Sequence, residues 1–286
     1  MTRRSLLATA ALTLAAAAPQ AQAALIIDYA NFTGTCGSTL SCVGSAAVDA
    51  GGDLRVTPSS GGAGAGYSNT AIALGSGATF STSFQFRMSD AGGIAPADGF
   101  TFVVSQNTTN LGGAGGGLGY FGVGNSVAIE FDTFDNGENS SNHVALDTNG
   151  SLSSLVQVNP YGVASCTFGN YGAAGCLSNG KIWSAFINYD GTTQLLNVSV
   201  QEANSALIQL ITNYSVDIAS VLGTNNAYVG FTAATGAGVQ NHDILNWQLA
   251  NDTSIVGPGR LPEPASLALL ALAGAAAMGA GRRRRG

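Results

Sequence analysis

The chain has few charged residues, and most of its positive charge lies at its two ends. Only 9% of the 286 residues are charged, whereas 45% are hydrophobic and 40 are Gly. Between residues 24 and 252, three basic side chains accompany fifteen acidic ones, which gives this region a net charge of −12. A nucleic-acid binder needs a basic face, so this region favours a cation or a neutral ligand and no nucleic acid. The hydrophobic content indicates a packed core.

The sequence also lacks several common catalytic and cofactor motifs. It has no G-x-S-x-G segment, no glycine run followed by Lys-Ser/Thr, and no C-x-x-C or Cys/His zinc pattern. Its four cysteines permit three pairings. The short separations favour Cys36–Cys42 and Cys166–Cys176, which we interpret as disulfides that close surface loops of an exported protein.

The N-terminus has the three parts of a secretory signal peptide. Two arginines precede the apolar segment "SLLATAALTLAAAAP", and "AQA" follows it, which predicts a signal peptide over residues 1–23 with cleavage after Ala23. A short membrane anchor is the alternative, and the short apolar run disfavours it. "TRRSLL" is also similar to an incomplete twin-arginine signal.

The C-terminus predicts a second targeting signal. A linker over residues 253–264 ends in Pro-Glu-Pro, and residues 265–286 hold an apolar segment followed by four arginines. The apolar segment is near the lower limit of ~17 residues for a single transmembrane helix, and the arginines would stay cytoplasmic. This order closely resembles a PEP-CTERM sorting signal. The resemblance implies a Gram-negative bacterium, processing by an exosortase, transient inner-membrane anchoring, and delivery to the cell surface or exopolysaccharide matrix. A plain tail anchor is the alternative.

Between the two ends, apolar and polar residues alternate in many short segments. One of them, "TFSTSFQFRM", places Phe80, Thr82, Phe84, Phe86 and Met88 on one face. Gly, Asn, Asp or Pro bounds each segment, and "INYDG" with "QLLNVSV" is typical of a β-hairpin. The pattern predicts one all-β domain over residues 24–252, an antiparallel sandwich or barrel. We interpret the Gly runs "SGGAGAGYS" and "LGGAGGGLGYFGVG" as loops within that domain.

The segment "AIEFDTFDNGENSSNH" concentrates acidic residues in a chain that has few. Residues two apart in a strand share a face, so Glu130 and Asp132 point the same way and Phe131 points to the other face. Two adjacent carboxylates repel unless a cation or a proton separates them. The following loop offers oxygen donors suited to Ca²⁺, and His143 adds a nitrogen suited to Mn²⁺ or a similar ion. A solvated acidic turn is the alternative.

"VAIEFDTFDNG…NHVALDTNG" closely resembles the metal-binding segment of legume-type (L-type) lectins. The resemblance implies a concanavalin-like jelly-roll sandwich that binds glycan through Ca²⁺ and a transition metal such as Mn²⁺. This loop lacks the family's bridging Asp, for which Glu138 is the nearest substitute, with Asn139 or Asn142 as alternatives. The implied ligands are Glu130, Asp132 and His143 for the transition metal, Ser153 through water, and Asp132, Asn136 and the Phe134 carbonyl for calcium.

Three further segments resemble the sugar-binding elements of the same family. "PADGF" would present Asp98 after a cis Ala97-Asp98 bond, and the "GGGLGY" loop would offer a backbone N–H from Gly116, with Gly115 or Gly117 as alternatives. The variable loop would span residues 236–240. The sugar-binding residues implied in this way are Asp98, Gly116, Phe134 as an aromatic platform, Asn136, Gly236, Ala237 and Gln240.

Two other functions stay open at this point. "EFDTFD" also resembles the active strand of sandwich-fold glycanases that act on β-glucan. A retaining glycosidase needs two carboxyls ~5–5.5 Å apart, and Asp135 is predicted to point away from Glu130. The other possibility is a structural matrix protein that has the fold and a degenerate sugar site.

Overall fold

The computed structural model describes residues 25–75, 77–252 and 255. The predicted signal peptide, the linker apart from Ile255, and the predicted transmembrane helix with its Arg-rich tail lie outside the described residues. Within the described part, none of the helices has the length and hydrophobicity required to cross a membrane.

The described residues form sixteen strands, a five-residue α-helix and two single 3-10 turns. In chain order the strands are β1 (Leu25–Tyr29), β2 (Leu40–Gly44), β3 (Ala47–Val48), β4 (Leu54–Thr57), β5 (Ala63–Ser68), β6 (Ile72–Ala73), β7 (Phe80–Gly93), β8 (Gly99–Ser105), β9 (Ser126–Asp132), β10 (His143–Thr148), β11 (Val156–Val158), β12 (Trp183–Asp190), β13 (Leu195–Glu202), β14 (Ile208–Ser215), β15 (Asn226–Ala234) and β16 (Gly238–Ala250). The helix α1 spans Ile218–Leu222, and the 3-10 turns span Gly115–Gly117 and Pro160–Gly162.

The strands form two antiparallel eight-stranded sheets that pack face to face. The first sheet has the order β14-β13-β12-β7-β16-β4-β3, with β1 paired to the second half of β16. The second has the order β11-β10-β9-β8-β15-β5-β2, with β6 paired to β15. The predicted all-β sandwich is therefore confirmed, and β12 and β13 form the predicted hairpin.

Aromatic side chains from both sheets form the centre of the core. Phe84 of β7 contacts Phe231 of β15, with ring centroids 4.9 Å apart, and Phe100 of β8 stacks on Phe131 of β9 at 4.6 Å. All four side chains are buried. The face predicted for β7 is buried along its whole length, as its alternation requires. Since Phe131 points into this core, its neighbours in β9 must point to the opposite face of the second sheet.

One glycine run was predicted as a loop and is instead a strand. The glycines of "AGAGYS" lie in β5, between β15 and β2. A Cβ at Gly64 would lie 2.1 Å from the Val56 carbonyl oxygen, and one at Gly66 would lie 3.0 Å from the Leu54 side chain. Neighbouring groups pack too closely against β5 for larger side chains. The second run does form a loop, which closes over the outer face of the second sheet through Tyr120 and Val123.

Candidate metal and ligand site

Adjacent strands β9 and β10 bring three metal-ligand side chains together. Glu130 and Asp132 leave β9 on the face opposite Phe131, and His143, the first residue of β10, pairs with Asp132. Each of the three side chains offers a ligand atom, and these atoms lie within 4.8 Å of one another. The alternation predicted for β9 therefore places Glu130, Asp132 and His143 in one cluster.

The cluster is buried and poorly neutralised. Burial raises the pKa of Glu130 to about 7 and that of Asp132 well above its usual range. Burial lowers the pKa of His143, and neither of its ring nitrogens has a hydrogen-bond partner. Its Nε2 lies 3.7 Å from Glu130 Oε2. Two carboxylates and an unpaired imidazole are the donor set that a transition metal prefers, so these residues fit such an ion.

Asp147 belongs to the same region and was missed in the sequence. It lies in β10, four residues after His143 and therefore on the same face. Burial, followed by the charge of Glu130, raises its pKa to about 9. The period-two spacing from His143 could have identified it. A protonated, neutral Asp147 next to Glu130 limits the negative charge of the metal cluster.

The loop over residues 133–142, here called the metal loop, contains two acids, Asp135 and Glu138, that differ in exposure. The Asp135 carboxylate is exposed and accepts the backbone N–H groups of Gly137 and Asn139, at 2.8 and 3.1 Å. Glu138 is half-buried and accepts the Asn136 backbone N–H at 2.6 Å. After burial, the Glu138 charge has the largest effect on the pKa of His143. Glu138 is thus the loop acid with the larger effect on His143, and the exposed Asp135, bonded within its own loop, does not favour a glycanase pair with Glu130.

Two neighbouring serines lie on the chain near the metal cluster, and Ser153 is the one predicted to approach it through water. Ser153 is exposed, and its backbone N–H donates to the Ser151 hydroxyl. The hydroxyl of Ser154 instead lies 3.4 Å from Glu130 Oε2. The chain turns at Asn149 and Gly150, which both have positive φ angles, before it returns to β9.

Asp98 lies where three chain segments meet. The Ala97-Asp98 bond is cis, as predicted. The Asp98 Oδ2 atom is buried without a hydrogen-bond partner, and it would lie 3.4 Å from a Cβ at Gly236. Burial raises the pKa of Asp98 to about 6, which the Gly236 backbone N–H partly offsets. The Asp98 carboxylate therefore lies next to the Gly236 backbone, which carries no side chain, and its Oδ2 atom accepts no hydrogen bond.

The glycine-rich loop "GGGLGY", residues 115–120, contacts the metal loop next to Asp98. A Cβ at Gly116 would lie 2.4 Å from Asn136 Oδ1, so only glycine lets the amide side chain rest against the backbone. The adjacent Gly115 donates its N–H to the Thr235 carbonyl. Asp98, Gly116, Asn136 and Gly236, here called the Asp98 site, thus lie close together.

The predicted variable loop is shorter than expected, and one of its residues is misplaced. Only residues 235–237 connect β15 and β16, and Gly236 and Ala237 are exposed there. Gln240 is fully buried in β16, where its amide donates to Thr133 Oγ1 at 2.6 Å. A register shift between Val239 and Asn241 accompanies this inward orientation. Gln240 therefore does not line the Asp98 site.

Phe134 lies beside a cavity. It follows the end of β9, is half-buried, and forms part of the wall of a cavity of about 420 Å³. Its backbone N–H donates to Asp132 Oδ1 at 2.7 Å. The half-buried Phe134 ring is therefore available as a contact surface. The Phe134 backbone N–H is held by Asp132, a residue of the metal cluster.

Both predicted disulfides are present. Cys36 pairs with Cys42, and Cys166 pairs with Cys176. The second bond lies within residues 163–177, a segment here called the disulfide loop. This loop packs against the metal loop: the buried Asn142 side chain donates to the carbonyl of Gly175 at 2.9 Å and accepts the Leu177 N–H at 2.8 Å. The disulfide therefore constrains a wall next to His143.

Comparison with known proteins places this geometry in a family. The lectin alpha chain of Lablab purpureus is 31% identical over 227 residues, which is 71% of this chain and 74% of that protein. A probable L-type lectin-domain containing receptor kinase of Arabidopsis thaliana is 33% identical over 197 residues, 62% of this chain. This chain spans only 27% of that kinase, so the similarity concerns one part of it.

Solved structures show the same fold. Lectin I-B4 from Griffonia simplicifolia, in a metal-free form, superposes with a TM-score of 0.66 at 24% identity, over 78% of this chain and 98% of that one. The sequence-family model described as "Legume lectin domain" matches residues 25–259 of this chain, which include both sheets and the candidate site. The chain belongs to the legume lectin domain (L-type lectin) family.

Proposed function

We propose that this protein binds glycans at the Asp98 site in a metal-dependent manner and does not cleave them. The observation that carries the proposal is the buried, unpartnered Asp98 Oδ2 atom between two backbone segments without side chains. A buried acceptor without a partner is unfavourable, and the hydroxyl groups of a sugar would supply the missing donors. The relatives named as lectins support this assignment.

The metal-binding residues fit two neighbouring cations. Glu130, Asp132 and His143 would hold a transition ion such as Mn²⁺, with Ser154 next to Glu130. The Asp132 carboxylate, the Phe134 carbonyl and the Asn136 side chain would hold Ca²⁺, which prefers oxygen ligands. When bound, the cations neutralise these carboxylates and fix the loop that carries Asn136.

The protein's own groups would then recognise the sugar. Asp98 accepts hydrogen bonds from sugar hydroxyls, and the Asn136 amide and the Gly116 backbone N–H donate to the same ring. The Phe134 ring offers an aromatic surface for an apolar sugar face. Gly236 and Ala237 of the short loop are exposed next to the site. Sites of this kind gain affinity when several copies contact repeated epitopes, which suits a glycan matrix.

A glycan array with purified full-length protein tests the binding proposal. We expect wild type to bind a subset of glycans, and Asp98→Asn to lose binding while its melting temperature stays near that of wild type. Asp28→Asn, the same change at an exposed strand position, serves as the control and should bind normally. Absence of binding by a folded wild type would favour a structural role instead. Release of reducing ends from β-glucan, lost in Glu130→Gln, would establish the glycanase alternative.

We further propose that the two ends direct export. The signal peptide over residues 1–23 would start translocation. The transmembrane helix predicted within residues 265–286, before the Arg-rich tail, would anchor the chain in the inner membrane until an exosortase acts near Pro-Glu-Pro and releases it to the surface or exopolysaccharide matrix. Mass spectrometry of the mature protein from a producing bacterium tests this. We expect an N-terminus at Ala24 and a C-terminus near residue 264, and an intact C-terminal tail would contradict exosortase processing.

A further inference from the structure

The chain contains three Asn-Gly pairs, which are Asn136-Gly137, Asn149-Gly150 and Asn179-Gly180. In such a pair the asparagine side chain can lose ammonia, because glycine has no side chain to hinder attack by its own backbone nitrogen. The first pair lies in the metal loop, and its asparagine belongs to the Asp98 site. The surroundings of the three pairs differ, and these differences determine which pair can react.

Hydrogen bonds hold the side chains of two of the three asparagines. The Asn149 side-chain oxygen accepts the Asn125 backbone N–H at 3.1 Å. The Asn179 amide donates to the Ala173 carbonyl and to Glu202 Oε1, both at 3.2 Å. These bonds restrain each side chain, so its Cγ atom does not turn freely toward the backbone nitrogen of the next residue.

The side chain of Asn136 has no such restraint. Asn136 and Gly137 are both exposed, and the Asn136 side chain makes no hydrogen bond to any residue that the structure describes. It lies beside the Gly116 backbone, which offers it no side chain. Gly137 has a φ angle of +119°, and a Cβ placed there would meet no atom within 4 Å. The space in which the Asn136 side chain and the Gly137 nitrogen would meet is therefore open.

Asp135 places a proton acceptor at the same pair. Its exposed carboxylate accepts the Gly137 backbone N–H at 2.8 Å. A carboxylate within hydrogen-bond distance of a proton can act as its general base. The Gly180 N–H, by contrast, donates to the Met88 backbone carbonyl, which is a much weaker base. Asn136-Gly137 is thus the pair that combines a free side chain with a base.

We propose that Asn136 is a modification site: in protein without bound cations the Asn136-Gly137 pair deamidates, and this change ends glycan binding at the Asp98 site. The proposal rests on the proposed function, in which Asn136 holds Ca²⁺ and donates to the sugar. A bound cation would fix the Asn136 side chain, so the metal-loaded protein is protected. Loss of the cations becomes irreversible with time.

The reaction needs only water besides the protein's own groups. Asp135 takes the proton from the Gly137 nitrogen, which bonds to the Asn136 Cγ atom. The bond between Cγ and the side-chain nitrogen breaks, and that nitrogen takes the proton from Asp135 and leaves as ammonia. Water then adds to either carbonyl of the cyclic imide and opens it. The product is aspartate or isoaspartate at position 136.

Neither product makes the sugar contact proposed for Asn136. The amide is lost, and an ionised carboxylate has no hydrogen to donate to a sugar hydroxyl. Isoaspartate also adds a methylene group to the main chain of the metal loop. The new negative charge lies close to Glu138, which accepts the Asn136 backbone N–H, and like charges repel.

Peptide mapping of the full-length protein by tandem mass spectrometry tests the proposal. The protein is incubated at mildly alkaline pH with EDTA or with Mn²⁺ and Ca²⁺, and deamidation is followed at all three pairs. Asp135→Ala removes the proton acceptor. Asn136→Asp carries the charge of the product on the glycan array. Asn149→Asp, the same change at a pair outside the Asp98 site, is the matched control.

With EDTA, Asn136 should deamidate at least about tenfold faster than Asn149 and Asn179, and addition of both cations should slow it about tenfold. Asp135→Ala should slow it by a similar factor in EDTA, and an unchanged rate would overturn the role of Asp135. Asn136→Asp should lose glycan binding, whereas Asn149→Asp should bind as wild type does.

Equal rates at the three pairs, or equal rates with and without cations, would overturn the modification site, and wild-type binding on the array would then leave the proposed function intact. Normal glycan binding by Asn136→Asp would overturn the proposed consequence of deamidation. Absence of binding by freshly loaded, folded wild type would overturn both the proposed function and this inference.

Discussion

Replacing Asn142 with alanine should destabilise the site more than any exposed substitution nearby. Asn142 immediately precedes His143 and is fully buried. Its side-chain amide donates to the Val163 carbonyl at 2.7 Å and to the Gly175 carbonyl at 2.9 Å, and its oxygen accepts the Leu177 N–H at 2.8 Å. These three bonds join the metal loop to the disulfide loop.

The size of the effect follows from these contacts. Each hydrogen bond contributes about 0.5–1.5 kcal/mol net, and a buried group left without a partner costs about 1–3 kcal/mol. Asn142→Ala removes all three bonds and leaves the Leu177 N–H without its acceptor, so we expect a loss of about 3–5 kcal/mol. A domain of 150–250 residues changes its melting temperature by about 2–4 °C per kcal/mol. The expected decrease is therefore roughly 10 °C.

Thermal denaturation followed by circular dichroism measures this decrease. Asn107→Ala is the matched control, since Asn107 is exposed on a loop outside the disulfide-loop contacts. Affinity for Mn²⁺ should also fall in Asn142→Ala, because His143 loses its fixed neighbour. A melting temperature for Asn142→Ala within 2 °C of the control would refute the role of Asn142 in joining the two loops.

Three further outcomes follow from the structure. Gly116→Ala should weaken glycan binding on the array at least tenfold, because its Cβ would displace Asn136. Replacing both Cys166 and Cys176 with serine should lower the free energy of unfolding in urea by about 2–4 kcal/mol. Burial raises the folded-state pKa of Glu130 to about 7, above its usual value of 4.5, so its contribution to stability is lost as the pH rises through 7. Protein stripped with EDTA should thus lose roughly 2–3 kcal/mol between pH 4.5 and 7, and protein loaded with Mn²⁺ and Ca²⁺ should not.

The alternation of side chains made much of the fold and the metal cluster predictable. Phe131 must enter the core once β9 is a strand, and this alone fixes the side on which Glu130 and Asp132 emerge. Pairing of β9 with β10 then sets His143 next to Asp132. The pattern did not identify Asp147, although its spacing from His143 follows the same period.

The remaining differences depend on contacts that local sequence does not encode. Gln240 lies in a strand whose register shifts, and a shift of one residue moves a side chain from the surface to the core. The hydroxyl of Ser154, which the sequence did not single out, lies 3.4 Å from Glu130 Oε2. The glycines of β5 read as a loop by composition, and only the close approach of the neighbouring backbone explains why a strand needs them there.

The metal content of the purified full-length protein tests the central claim most directly. After loading with Mn²⁺ and Ca²⁺ and exhaustive dialysis, mass spectrometry of the elements should find about one of each ion per chain. Asp132→Asn should lose both, because Asp132 belongs to both proposed sites. A wild-type protein that is folded and metal-free after this treatment would contradict metal-dependent glycan binding.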